Sequence, residues 1–153
     1  MWKRKHSTAL SLIVCFGVLG IIFASLFVMP FIVEGYLSSW RGFEGSDIER
    51  IGRVILISYY PGAVLGMVAL GALIKMLFNI KNDMPFISSN VNCLRIISWC
   101  CFIVSAICLF GASTYYSFIF ISVAAGFVGL ILRVVKNVLQ SAVELKSEND
   151  LTI

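Results

Sequence analysis

A single histidine, His6, stands beside Lys3, Arg4 and Lys5 at the N-terminus. In that setting it offers neither a His-based catalytic triad nor a His-rich metal site within one chain. Five thiols follow, at Cys15, Cys93, Cys100, Cys101 and Cys108. Cys93 and Cys100 are two helical turns apart, as are Cys101 and Cys108. There is no C-x-x-C, and none of the five falls in the segment expected to face outward, so no disulfide framework is implied. The expectation is that they are buried as small apolar residues, with soft-metal or redox chemistry the less favoured reading. No glycine-rich phosphate loop is present. Ser58, Tyr59, Ser98, Ser105 and Ser122 can line a polar path, but hydroxyls in apolar helices are more often satisfied by backbone carbonyls. The sequence therefore predicts no catalytic residue, no cofactor, no metal site and no enzyme.

The elements that carry these residues are set by where the charges are missing. The chain of 153 residues is 59% hydrophobic and 13% charged, whereas a soluble domain carries about 25% charged residues. Residues 8–33 contain no Asp, Glu, Lys or Arg over about 26 positions, and residues 54–74 none over about 21, where one bilayer crossing needs roughly 20. Residues 96–132 form a third such run of about 37 positions, which as one helix would be about 55 Å long, nearly twice the hydrocarbon core. It must break, and Gly111-Ala112-Ser113-Thr114, followed by Tyr115 and Tyr116, is the place for a tight hairpin. The fold class expected is an all-α membrane protein: one domain, 1–153, made as a bundle of four transmembrane helices over about 8–33, 54–75, 94–111 and 115–133. No ionisable group lies within the charge-free runs. Glu34 and Lys75 stand at their ends, which argues against a proton relay or an ion-coupled pump.

The first run is too long for the apolar core of a signal peptide and lacks a small-x-small cleavage site, so an uncleaved anchor is expected. Helix one is expected to end near Pro30 and Glu34. An outer loop then runs from about residue 35 to 52, with Tyr36, Trp40 and Phe43 at the interface and a short helix through 48–51 capped by Ser46 or Asp47. Pro61 should kink helix two, with Ser58 near the freed carbonyl. Gly62 and Gly66 form a G-x-x-x-G pair for close helix packing, within the chain or between copies in a homo-oligomer. Gly20 with Ala24, and Ala125 with Gly129, repeat that spacing. Ser88 or Ser89 can cap helix three. Beyond residue 133, Val135, Val138, Leu139, Ala142 and Leu145 recur on one side of a helix, with Arg133, Asn137, Gln140, Ser141, Glu144 and Glu148 on the other. A C-terminal amphipathic cytoplasmic helix over 134–153 is expected from this pattern.

Orientation follows from Lys and Arg. The N-terminus, the segment between helices two and three, and the tail hold nine of the twelve basic residues. The positive-inside rule thus places both termini in the cytoplasm of a multi-pass cell-membrane protein. The net charge of +4 is a topology signal and does not point to direct nucleic-acid binding.

Two segments on the basic side carry a family likeness. One is Pro85-Phe86, then Asn90, then Leu94-Arg95 opening a helix. The other is the terminal Glu144-Leu145-Lys146-Ser147-Glu148-Asn149-Asp150-Leu151-Thr152-Ile153. With four spans, they resemble the YoaS-like family of small bacterial membrane proteins, a domain of unknown function. Its members usually have Gly or a charged residue where this chain has Met84. The family has no established activity for the resemblance to carry over. The resemblance implies a cytoplasmic partner, since members tend to be encoded beside a small helix-turn-helix regulator. If helices two to four are bundled, Asp83, Pro85, Phe86, Asn90, Arg95, Glu148, Asn149 and Asp150 can form one patch, either a clasp between tail and loop or a docking surface. The reading this favours is a membrane-anchored regulatory or interaction module acting through its loop and tail. A small transporter or channel subunit is the rival, and the lipid bilayer is a partner in either reading.

Overall fold

The structure, a computed structural model, describes residues 2–39, 45–82 and 84–150. It consists of four helices: α1 (Trp2–Ser39), α2 (Gly45–Lys81), α3 (Ser88–Gly111) and α4 (Phe118–Asp150). No strand occurs among the described residues. All four helices are long and apolar enough to cross a membrane. In hydrocarbon every backbone N–H and C=O must find its partner inside the element, so an uncharged run of this length becomes helix.

The helices outrun the charge-free segments. α1 continues through Pro30 and Glu34, where a stop was expected, to Ser39. α2 already includes Ser46 and Asp47, the expected caps, and absorbs the short helix expected at 48–51. The outer loop is therefore much shorter than 35–52. Tyr36 belongs to α1, while Trp40 and Phe43 lie outside the described residues. A proline removes one hydrogen bond, and in an apolar setting the rest of the ladder has no better alternative than to continue. Pro61 is likewise inside α2. Ser58, expected to serve the carbonyl freed there, has its Oγ 3.3 Å from where a Cβ on Gly111 would stand.

The hairpin expected between helices three and four is present. α3 closes at Gly111, and the amides of Thr114 and Tyr115 both donate to the Gly111 carbonyl at 3.1 Å. The hydroxyls of Ser117 and Tyr36 hold the Tyr115 phenol below the usual tyrosine range.

The start of α3 differs from expectation. Its N-cap is Ile87 in an extended conformation with no side-chain cap, and Ser88 and Ser89 are already helical. The separate amphipathic helix is not there either. α4 is one unbroken and largely apolar helix from Phe118 to Asp150. No glycine or proline follows Gly129 within α4, so nothing ends the helix where the charge-free run stops. Val135, Val138 and Leu145 of the expected apolar face remain exposed.

Consecutive helices pack antiparallel: α1 on α2, α2 on α3, α3 on α4. Among the described residues no non-consecutive pair of helices brings its backbones close. The helices thus form an open row rather than a closed ring, with α3 in the middle of its neighbours and carrying the most buried residues, among them Asn90, Val91, Cys93, Leu94 and Ser98. Leu10, Ile13, Phe16, Phe31, Phe120 and Phe127 are broadly exposed, as side chains solvated by lipid should be.

The helices are staggered. Ser98 lies opposite Gly129 and Ser105 opposite Ser122, which sets Ser88 level with about residue 139. α4 therefore projects about 16 Å past the start of α3, by 1.5 Å per residue. At the other end Ser58 is level with Gly111, so the α1–α2 pair projects about 20 Å beyond the α3–α4 turn.

Candidate functional site

The loop joining α2 to α3 is held by one buried side chain. Asn90 is 1% exposed. Its Oδ1 accepts from Asn79 Nδ2 at 2.7 Å, and its Nδ2 donates to the carbonyls of Pro85 at 2.8 Å and Met84 at 3.3 Å. Asn79 sits in the last turns of α2 and Asn90 in the first turn of α3, so this amide ties two helices and the loop between them. A carboxamide suits the position: its planar end offers two donor hydrogens beside an acceptor oxygen. Backbone bonds from Met84 to the Asn79 carbonyl (3.0 Å) and from Asn82 to the Phe78 carbonyl (3.1 Å) complete the turn. The loop is thereby fixed with Met84 and Phe86 about half exposed.

The residues expected to make one patch are distributed over three places. Pro85, Phe86 and Asn90 share the loop, where Asn90 is the internal pin and Phe86 the surface. Asp83 lies outside the described residues. Arg95 lines a cavity between α3 and α4 of about 60 Å³, together with Ser98, Trp99, Arg133 and Lys136. Glu148 and Asn149 are exposed at the projecting end of α4. With Ser88 level with about residue 139, Glu148 stands about 14 Å further along the axis than the start of α3. Asp150 closes α4.

Asn79 and Trp99 were not singled out in the sequence. The signal for Asn79 was faint: one of two asparagines flanking a short polar loop. For Trp99 there was a better one. A hairpin folded about residues 111–118 must set Arg95 and Arg133, nearly equally far from that turn, at one level, with Trp99 one turn from Arg95. The Arg133 guanidinium lies 5.6 Å from the centroid of the Trp99 ring, in the range for a cation–π contact.

The hydroxyls form no path. Ser98 donates to the Gly129 carbonyl at 2.9 Å. Ser105 donates to the Ser122 carbonyl and Ser122 to that of Ser105, both at 2.8 Å. Tyr59 is bonded to Ser25 of α1. These are cross-helix ties, and glycines let the backbones come near enough to make them. A Cβ on Gly129 would meet the Cys101 Cβ at 3.3 Å, and one on Gly126 the Ser105 Oγ at 3.1 Å. Around Gly62 there is open space, while a Cβ on Gly66 would reach Ile22 of α1 at an ordinary 3.7 Å. Cys15, Cys93, Cys100 and Cys108 are buried free thiols, and Cys101 is partly so. A groove of about 490 Å³ runs between α2 and α3, floored by Val68, Gly71, Ala72 and Ile96, with Lys75, Ser89 and Asn92 at its polar side.

The chain belongs to the family described as "Protein of unknown function (DUF2975)", which matches residues 9–153. No curated protein and no solved structure matches it. The match covers all four spans, and the chain is a multi-pass membrane protein.

Proposed function

We propose that this chain is a membrane-anchored interaction module, without enzymatic activity, that presents the loop of residues 82–87 and the projecting end of α4 to a soluble partner. One observation carries the reading: Asn90 commits both of its amide hydrogens and its amide oxygen inside the protein to hold that loop, with Met84 and Phe86 outward. A surface fixed before binding loses little conformational freedom on contact, and half-exposed large apolar side chains are suitable anchors. The projection of α4 beyond α3 supports it, because a helix needed only to span would end near Leu139.

In this reading the loop and both termini face the cytoplasm of a cell-membrane protein, supported by nine of the twelve Lys and Arg residues at that end. The partner is a small helix-turn-helix regulator, as the likeness to the YoaS-like family implies.

The test is crosslinked co-purification from native membranes. Intact protein is compared with a chain ending before Glu144, with Asn90→Ala, and with the double variant Met84→Ser/Phe86→Ser. A stoichiometric soluble partner that is lost from all three supports the module. If no partner is captured and the protein migrates as a defined oligomer, the docking reading fails. The rival transporter or channel subunit is then tested by flux into liposomes.

A further inference from the structure

Three cations from two helices converge on the cavity between α3 and α4: Arg95, Arg133 and Lys136. The other lining residues are Ser98 and Trp99, so the lining holds no carboxylate. Ser98 is already committed to the Gly129 carbonyl. The Trp99 indole lies under Arg133, and no acid stands among the residues that line the cavity. Like charges gathered around one small space repel, and more so at the margin of a low-dielectric slab than in water.

The depth of the pocket says what can answer this charge. The uncharged part of the α3–α4 hairpin, residues 96–111 on α3, is about 24 Å long against a hydrocarbon core of about 30 Å. The hairpin is short for the bilayer. With its turn at one surface, the cations sit at or just beneath the level of the opposite headgroups. Trp99, 53% exposed, is at the depth that indoles favour. The size agrees: a cavity of about 60 Å³ suits a compact anionic group rather than a whole lipid.

We propose that this cavity is a binding site for the phosphate group of an anionic phospholipid, held by Arg95, Arg133 and Lys136 against Trp99. Arginine binds phosphate oxygens two at a time, and lysine adds a point charge. A zwitterionic headgroup brings its own ammonium into the cluster, which offsets the attraction of its phosphate and weakens binding. The site uses none of the loop residues of the interaction module and stands or falls separately from it.

The chain has three tryptophans, so Trp2→Phe/Trp40→Phe leaves Trp99 as the sole indole reporter. This protein, in uncharged detergent, is titrated with dihexanoyl phosphatidylglycerol, dihexanoyl phosphatidylcholine and inorganic phosphate while Trp99 emission is followed. The expected result is a saturable change at about tenfold lower concentration of phosphatidylglycerol than of phosphatidylcholine. It should shift to about fivefold higher concentration in Arg95→Gln and again in Lys136→Gln. Neither variant touches the ring contact of Arg133, and an unchanged elution profile confirms that they fold. Equal response to the two lipids, or curves unmoved in both variants, overturns the site. A change reproduced by inorganic phosphate at the same concentration overturns its assignment to lipid.

Discussion

At the scale of single residues, Asn90 concentrates the most bonding in the least space. Asn90→Ala removes one partner from Asn79 and from the carbonyls of Met84 and Pro85 at once. A buried polar group left without a partner costs about 1–3 kcal/mol. The variant is expected to melt several degrees lower in detergent and to be cut faster by protease between residues 82 and 87. Asn90→Asp should recover little, since a carboxylate can accept from Asn79 but not donate to the loop. Glycines give a second contrast. Gly129→Ala sets a methyl 3.3 Å from the Cβ of Cys101, an atom that no rotamer change can move, and overpacking of this kind costs about 1–3 kcal/mol. Gly62→Ala enters open space and is expected to be neutral or stabilising by up to about 1 kcal/mol. Thermal denaturation of the two variants side by side checks the ordering.

At the scale of elements, α3 and α4 are joined by a ladder of small residues and hydroxyls. The reciprocal Ser105–Ser122 pair ties each side chain to the other helix's carbonyl. Those carbonyls also belong to their own helices, so the loss on deletion is modest. Ser105→Ala and Ser122→Ala are each expected to cost about 0.6 kcal/mol, read by unfolding in mixed micelles. How much of this was legible in the sequence depends on which physics wrote it. The four spans and the turn at residues 112–117 follow from missing charge and from small residues, and both are visible in one dimension. The helix ends were not, because Pro30, Ser46 and Asp47 carry strong stop or cap preferences in water that a long apolar helix overrides. Serines 98, 105 and 122 could be named but not paired, since pairing needs the register of the hairpin. Asn90 was singled out, but as part of a clasp between tail and loop or of a docking surface, not as a pin between α2 and α3. Its burial follows from the approach of α2 and α3, which no local pattern states.

At the scale of the whole molecule, the two hairpins project in opposite directions, α1–α2 beyond one surface and α4 beyond the other. If the loop end is cytoplasmic, a phosphatase fused after residue 150 is expected to be inactive and a green fluorescent protein fused there to be bright. The reverse pattern would invert the assignment. The row of helices has another consequence, for the order in which the protein can be made. Each helix packs on the one synthesised just before it, so the nascent chain meets every partner in the order in which the ribosome releases it. Contacts so local in sequence close small loops and form fast. A closed ring would force α1 to wait, unpaired in lipid, for α4. Here a nascent chain stopped after residue 81 already has the complete α1–α2 interface, including Ser25 against Tyr59. Crosslinking of Ser25→Cys to Tyr59→Cys with a short bis-thiol-reactive reagent, which replaces the reach of the lost tyrosine ring, is expected to be as efficient in that fragment as in the full chain. Membrane insertion and folding of this protein can then be a single vectorial process, with each hairpin finished before the next begins.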